Sequence, residues 1–119
     1  MSQPDPSSHL PLNPRVFAIL AAILEGPAHG YRIRQLVEGR SHGTIILDPG
    51  SLYRTISKLL DDGIIEEVHA PDGDVDDDPR RRYYAVTELG RSVAAAEASR
   101  LRALLSRPVL SPGALGGGR

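Results

Sequence analysis

Apolar positions along the chain change period several times, and each change marks an element. After Asn13-Pro14, a cap followed by a residue suited to the first helical position, Val16, Ile19, Leu20, Ile23 and Leu24 recur at helical spacing until Gly26-Pro27. That helix is short and nearly all apolar, so burial is expected, with Phe17 beside the buried face and available to a partner chain. Ala28-His29-Gly30 reads as a turn. A second helix follows from about Gly30 to Arg40, with Ile33, Leu36 and Val37 inward and Arg32, Arg34, Gln35 and Glu38 outward. Ser41-His42-Gly43 breaks it, and Thr44 to Leu47 is a short β-prone run, either an edge strand or an extended connector.

The third helix, residues 49–62, is the most sharply bounded. Asp48 can cap it, Pro49 suits its first position and Gly63 suits the left-handed residue past its end. Leu52, Ile56, Leu59 and Leu60 form one apolar stripe. The other side carries Ser51, Tyr53, Arg54, Ser57 and Lys58, hydroxyls and cations of the kind that bind phosphates and base edges. Ile64 to His69 and Arg82 to Thr87 read as strands, the second with Tyr84 and Val86 inward and Tyr83 outward. The long loop between them holds Pro71, Gly73 and Pro79.

Thr87 can cap a last helix from about Glu88 to Arg107. Leu89, Val93, Ala96, Leu101, Leu104 and Leu105 lie on or near one stripe, longer than a small domain can cover. A second copy of the chain would cover it by helix pairing; folding back on its own domain is the alternative. The expected architecture is mainly α with a small β-wing: a winged helix-turn-helix plus a C-terminal dimerisation helix. Its parts are a flexible arm (1–13), the winged domain (14–87), the dimerisation helix (88–107) and a disordered tail (108–119) rich in Ser, Pro and Gly.

Composition narrows the chemistry. A chain of 119 residues supports one domain with a modest core. The net charge of -1 predicts neither nucleic-acid nor membrane binding, but charge is unevenly placed: five acids between Asp72 and Asp78, then Arg80, Arg81 and Arg82. The absence of cysteine excludes a disulfide framework and thiolate metal sites. With no signal peptide and no apolar run near the ~20 residues of a membrane span, no membrane partner and a cytoplasmic location are expected. Asp72, Asp74 and Asp76 imitate the start of a calcium loop, but Asp77 stands where glycine is needed and Tyr83 where glutamate is. His9, His29, His42 and His69 show no ligand spacing, so no metal or other cofactor is expected. No nucleophile elbow, phosphate loop or acid–base pair suggests an enzyme.

His29-Gly30-Tyr31, Pro49-Gly50-Ser51-Leu52-Tyr53, Leu59 with Gly63-Ile64-Ile65, Arg81-Arg82-Tyr83-Tyr84 and Val86-Thr87-Glu88-Leu89-Gly90, in this order, resemble the PadR family of bacterial transcriptional regulators, in its short form with one dimerisation helix. The resemblance covers about Val16 to Leu105. It implies a homodimeric repressor of double-stranded DNA that reads a pseudo-palindromic operator. Ser51, Tyr53, Arg54, Ser57 and Lys58 would contact DNA from the recognition helix, and Arg80, Arg81, Arg82 and Tyr83 from the wing. Phe17, Leu89, Val93, Ala96, Leu101, Leu104 and Leu105 would form the dimer face. Some members release DNA on binding a small aromatic effector near that interface. The drug-binding members use a tryptophan that this chain lacks, and the acidic insert 72–78 is unusual for a wing. A winged helix serving only as a protein interaction module is the other functional class the residues allow.

Overall fold

A computed structural model describes residues 5–71 and 81–106. The insert 72–78, Arg80 and the tail after residue 106 lie outside the described residues.

Among the described residues, four α-helices pack with a small antiparallel sheet. Helix α1 is Pro14–Leu24; the Asn13 side chain accepts from the Arg15 amide at 2.8 Å and opens it. Helix α2 is Gly30–Arg40, and α3 is Pro49–Asp61. At the start of α3 the Asp48 carboxylate accepts from the Ser51 amide at 2.8 Å, a bond that also holds Asp48 below its usual pKa. At its end Gly63 takes φ +73°, Ile64 N–H donates to the Leu59 carbonyl at 2.9 Å, and Gly63 N–H to that of Leu60 at 3.1 Å. Those two bonds are the paired closure that a left-handed glycine permits.

Ala28–His29 is not merely a turn: it forms a short strand, β1. Strands β2 (Ile65–Val68) and β3 (Tyr83–Val86) make the hairpin, and the sheet order is β1-β3-β2. Ala28 pairs with Tyr84 and His29 with Tyr83, a non-local match that period alone does not reveal. Residues 44–47 form a connector rather than an edge strand. The Ser41 hydroxyl accepts from the Ile45 amide at 3.0 Å, which curls the segment so that Leu47 is buried and Ile46 exposed.

Helix α4 spans Glu88–Leu105. Thr87 links it to the end of α3: its hydroxyl accepts from the Gly90 amide at 3.1 Å and lies 2.5 Å from the Gly63 carbonyl. The core gathers Ile19, Leu20 and Ile23 of α1, Ile33 and Val37 of α2, and Leu52, Ile56 and Leu59 of α3 against Ile64, Tyr84 and Val86. The first half of α4 belongs to this chain's own interior, with Val93 fully buried and Ala94 nearly so. Val93 therefore cannot form part of a dimer face.

Residues 6–12 are not a free arm. A short turn of 3-10 helix, Pro6–His9, packs against α4. Beyond it the Leu12 amide donates to Glu97 at 2.6 Å, and Arg100 donates to the same carboxylate at 2.5 Å. Glu97 is 1% exposed, and a buried carboxylate is tolerated only when so satisfied. The Arg100 bond holds Glu97 below its ordinary value of 4.5; burial acts against this, and the Leu12 bond adds to it. A lowered folded pKa means a stabilising contribution that is complete above the unfolded value and lost as pH falls through the folded one. Glu97→Gln should therefore be less stable than the parent at neutral pH, and thermal unfolding across pH should show the gap closing in acid. A gap independent of pH would contradict this role for the carboxylate.

Candidate nucleic-acid interface

Helix α3 buries Leu52, Ile56 and Leu59, and this fixes what its other side presents. Tyr53, Arg54, Ser57 and Lys58 are all exposed. Together with Gly50, Asp61 and Asp62 they line one open, shallow face. Ser51 is only half-buried, and the Thr55 hydroxyl donates to its carbonyl at 3.1 Å. Arg54 makes no ion pair among the described residues, whereas Lys58 lies 3.4 Å from Asp62. That contact gives the acidic end of α3 a local partner one turn back. It also tethers Lys58 and leaves Arg54 as the more available cation.

A second concavity of about 310 Å³ joins α3 to the foot of the wing. It is lined by His29, Gly30, Tyr31, Tyr53, Arg81, Arg82 and Tyr84. Arg81 Nη1 donates to His29 Nε2 at 3.2 Å, and Arg82 Nε lies 3.8 Å from Glu67. Tyr53 lines both surfaces, so the helix and the wing base form one continuous basic and hydroxyl-bearing surface. Gly30 makes this possible: a methyl group there would fall 2.6 Å from the Tyr53 hydroxyl.

Tyr53, Arg54, Ser57, Lys58, Arg81 and Arg82 thus line adjoining surfaces that share Tyr53, half-buried Ser51 lines neither, and Arg80 lies outside the described residues. Tyr83 departs from expectation. It is 3% exposed, not outward, and sits edge-on to the His29 ring at 5.3 Å. Strand β3 is the middle of the sheet, and Tyr83 and Tyr84 on its two faces are both covered. Tyr83 supports the wing base and offers no surface to a partner. Burial first, and Glu67 second, raise the Tyr84 phenol above its usual pKa, so it remains a neutral hydroxyl.

Sequence reasoning missed Tyr31 and Gly30 as site residues. Tyr31 is 58% exposed and stacks near His29 with ring centroids 6.5 Å apart. The available signal was the aromatic residue on the solvent side of α2 directly after Gly30.

Three helices, a hairpin wing and an exposed basic face on the third helix define a winged helix-turn-helix protein. The chain belongs to the transcriptional regulator PadR-like family, whose profile matches residues 19–96; this is a regulatory family and not an enzymatic one. A protein of Lysinibacillus sphaericus with no characterised role is 34% identical over 74 residues, which is 62% of this chain and 65% of that relative's length. Among solved structures, the chain is similar to a transcriptional regulator from Clostridium thermocellum, with TM-score 0.63, 20% identity, and coverage of 76% of this chain and 82% of that one. It is also similar to a PadR family transcription regulator from Clostridium difficile, with TM-score 0.64, 17% identity, and coverage of 77% and 91%. Likeness at these identities shows the fold. No described helix is long and apolar enough to cross a membrane.

Proposed function

We propose that this chain is a homodimeric repressor that reads a pseudo-palindromic operator and responds to a small effector. The observation that carries the DNA reading is that the exposed face of Arg54 and Lys58 shares Tyr53 with the concavity lined by Arg81 and Arg82. Helix α3 enters the major groove, with Arg54 as the base reader because its fork matches two acceptors on guanine. Lys58, a charge without directionality, binds phosphate. Arg81 and Arg82 anchor the wing base on the backbone, with the Tyr53 and Tyr31 hydroxyls beside them. Two subunits place their α3 helices ~34 Å apart, on adjacent turns of one face of the duplex.

The dimer reading rests on the far end of α4. The stripe that faces the core through Val93, Ala94 and Glu97 continues as Leu101, Leu104 and Leu105, but the domain ends before they do. Leu104 is 46% and Leu105 62% exposed. A partner's α4 would cover them, with Leu89, Ala96 and Phe17, all half-buried, at the margin. Truncating α4 is no test, because its first half is core. The variant Leu104→Glu with Leu105→Glu keeps the core, and it should sediment as a folded monomer; a persistent dimer would place the interface elsewhere.

The function itself is tested with DNA from upstream of the chain's own gene, by fluorescence anisotropy over a salt series. Sequence-selective binding is expected, with log K falling linearly against log salt by ~0.9 per phosphate contacted. Weak binding, equal on every sequence, would count against the repressor and favour a protein partner.

A further inference from the structure

The concavity between α3 and the foot of the wing holds a buried polar group that neither the groove-reading face nor the wing arginines explain. Tyr84 lines it while only 4% exposed, with its ring in the core. Its hydroxyl makes no hydrogen bond among the described residues. Among those residues Arg34 Nε is the side-chain atom sealed from solvent without a partner, so the Tyr84 hydroxyl keeps an opening, and the concavity provides it. Buried polar groups are nearly always hydrogen-bonded, so an unpaired hydroxyl on the inner surface of an open concavity is placed to meet what enters. Burial holds the phenol protonated, and it therefore offers a hydrogen to an acceptor.

The rest of the lining sets the chemistry of that acceptor. Helix α2 starts at Gly30 within the lining, so the positive end of its dipole meets the same space. The Tyr53 hydroxyl lies over Gly30, where a Cβ would stand 2.6 Å from it. Arg81 and Arg82 are exposed at the rim. Glu67, paired with Tyr84 across the strands, is offset by Arg82 Nε at 3.8 Å. That leaves the charge of Arg81 for a ligand, which fits a monoanion with several acceptor oxygens: a phosphodiester rather than a dianionic phosphomonoester. We propose that this concavity is a phosphate site, with the Tyr84 hydroxyl as its inner donor, and that it takes one phosphodiester of the duplex backbone in each half-site. Tyr84 is then a DNA-binding residue although it is buried. The occupant rests on the DNA-binding reading above; the phosphate site itself does not.

The test has one arm for the site and one for its occupant. Without duplex, the full-length, nitrogen-15-labelled chain is titrated with the dinucleotide thymidylyl-thymidine, and with its uncharged methylphosphonate twin, at constant ionic strength. Saturable amide shifts are expected at Gly30, Tyr31 and Tyr84 with the diester and not with the twin. Tyr84→Phe keeps the ring and removes only the hydroxyl; it should bind the diester about tenfold more weakly, the worth of one hydrogen bond to a charged acceptor. Its thermal midpoint should match the parent's, since that hydroxyl bonds nothing among the described residues. Tyr53→Phe, at an exposed position, reads the same site from the rim. Shifts centred on residues 54–58, no saturation, equal affinity for the twin, or equal affinity in the parent and both variants would each overturn the site. Tighter binding of thymidine 5′-monophosphate would make a free phosphomonoester the occupant and overturn the diester. In the second arm, anisotropy on the operator and a scrambled duplex should show Tyr84→Phe weakened alike on both, about tenfold for each half-site, with the salt slope unchanged because a neutral hydroxyl releases no counterion. Parental affinity of Tyr84→Phe for both duplexes overturns the duplex as occupant and leaves the phosphate site standing. If the parent binds no duplex, the DNA reading fails and the first arm alone decides the site.

Discussion

Gly90→Ala should largely unfold the chain under conditions where the parent is fully native. A Cβ at position 90 would overlap the Ile64 carbonyl oxygen and come within 2.7 Å of Val86 Cγ1. The clash with Ile64 is against backbone, so no rotamer change relieves it. That carbonyl already accepts from the Thr87 amide at 3.0 Å and lies 3.0 Å from the Thr87 hydroxyl, which in turn caps α4. Moving α4 outward would loosen the cap, the end of α3 and the packing of Val93 together. Overpacking alone costs ~1–3 kcal/mol and loss of a cap about 1 kcal/mol more. A small domain holds only ~5–15 kcal/mol in all. At ~4–8 °C per kcal/mol, the midpoint of thermal unfolding followed by circular dichroism should fall by about 15 °C or more. A midpoint within a few degrees of the parent would mean that α4 does not seat on the Ile64 carbonyl as described.

Arg54→Ala should cost the largest share of sequence-selective DNA binding while leaving stability nearly unchanged. The side chain is exposed and makes no ion pair among the described residues, so its removal disturbs no packing. A bidentate guanidinium–guanine pair gives ~1–3 kcal/mol of discrimination, and a dimer loses it in both half-sites. Affinity for the operator should then fall by ~2–6 kcal/mol in total, while affinity for a scrambled duplex falls much less. Lys58→Ala provides the contrast: weakening nearly uniform across sequences, with the salt slope reduced by about 1 per half-site. Anisotropy on both duplexes, for both variants, at several salt concentrations reads this directly. If Arg54→Ala weakens the operator and the scrambled duplex equally, Arg54 is a phosphate contact and the base reader is another residue.

The residues most useful for function were those whose neighbours in sequence fix their direction. The α3 stripe of Leu52, Ile56 and Leu59 dictates that Tyr53, Arg54, Ser57 and Lys58 face away from the core, because a helix repeats every ~3.6 residues whatever surrounds it. Strands carry the same local rule only when one face is wet. Tyr83 broke it, since β3 lies between two strands and both its faces are covered.

What the sequence by itself determined is the set of elements and their ends. Asn13-Pro14, Asp48-Pro49, Gly63 and Thr87 act through bonds to residues two to five positions away, and the structure places helix boundaries at each. Only the tertiary structure decided the pairing of His29 with Tyr83, the seating of Gly90 on Ile64, and the burial of Glu97 beneath the Leu12 amide. Leu12 and Glu97 stand 85 positions apart, and no local period encodes a contact of that span. Such contacts form once hydrophobic burial has set the helices and sheet against one another, and they are what gives α4 its shared place in the core.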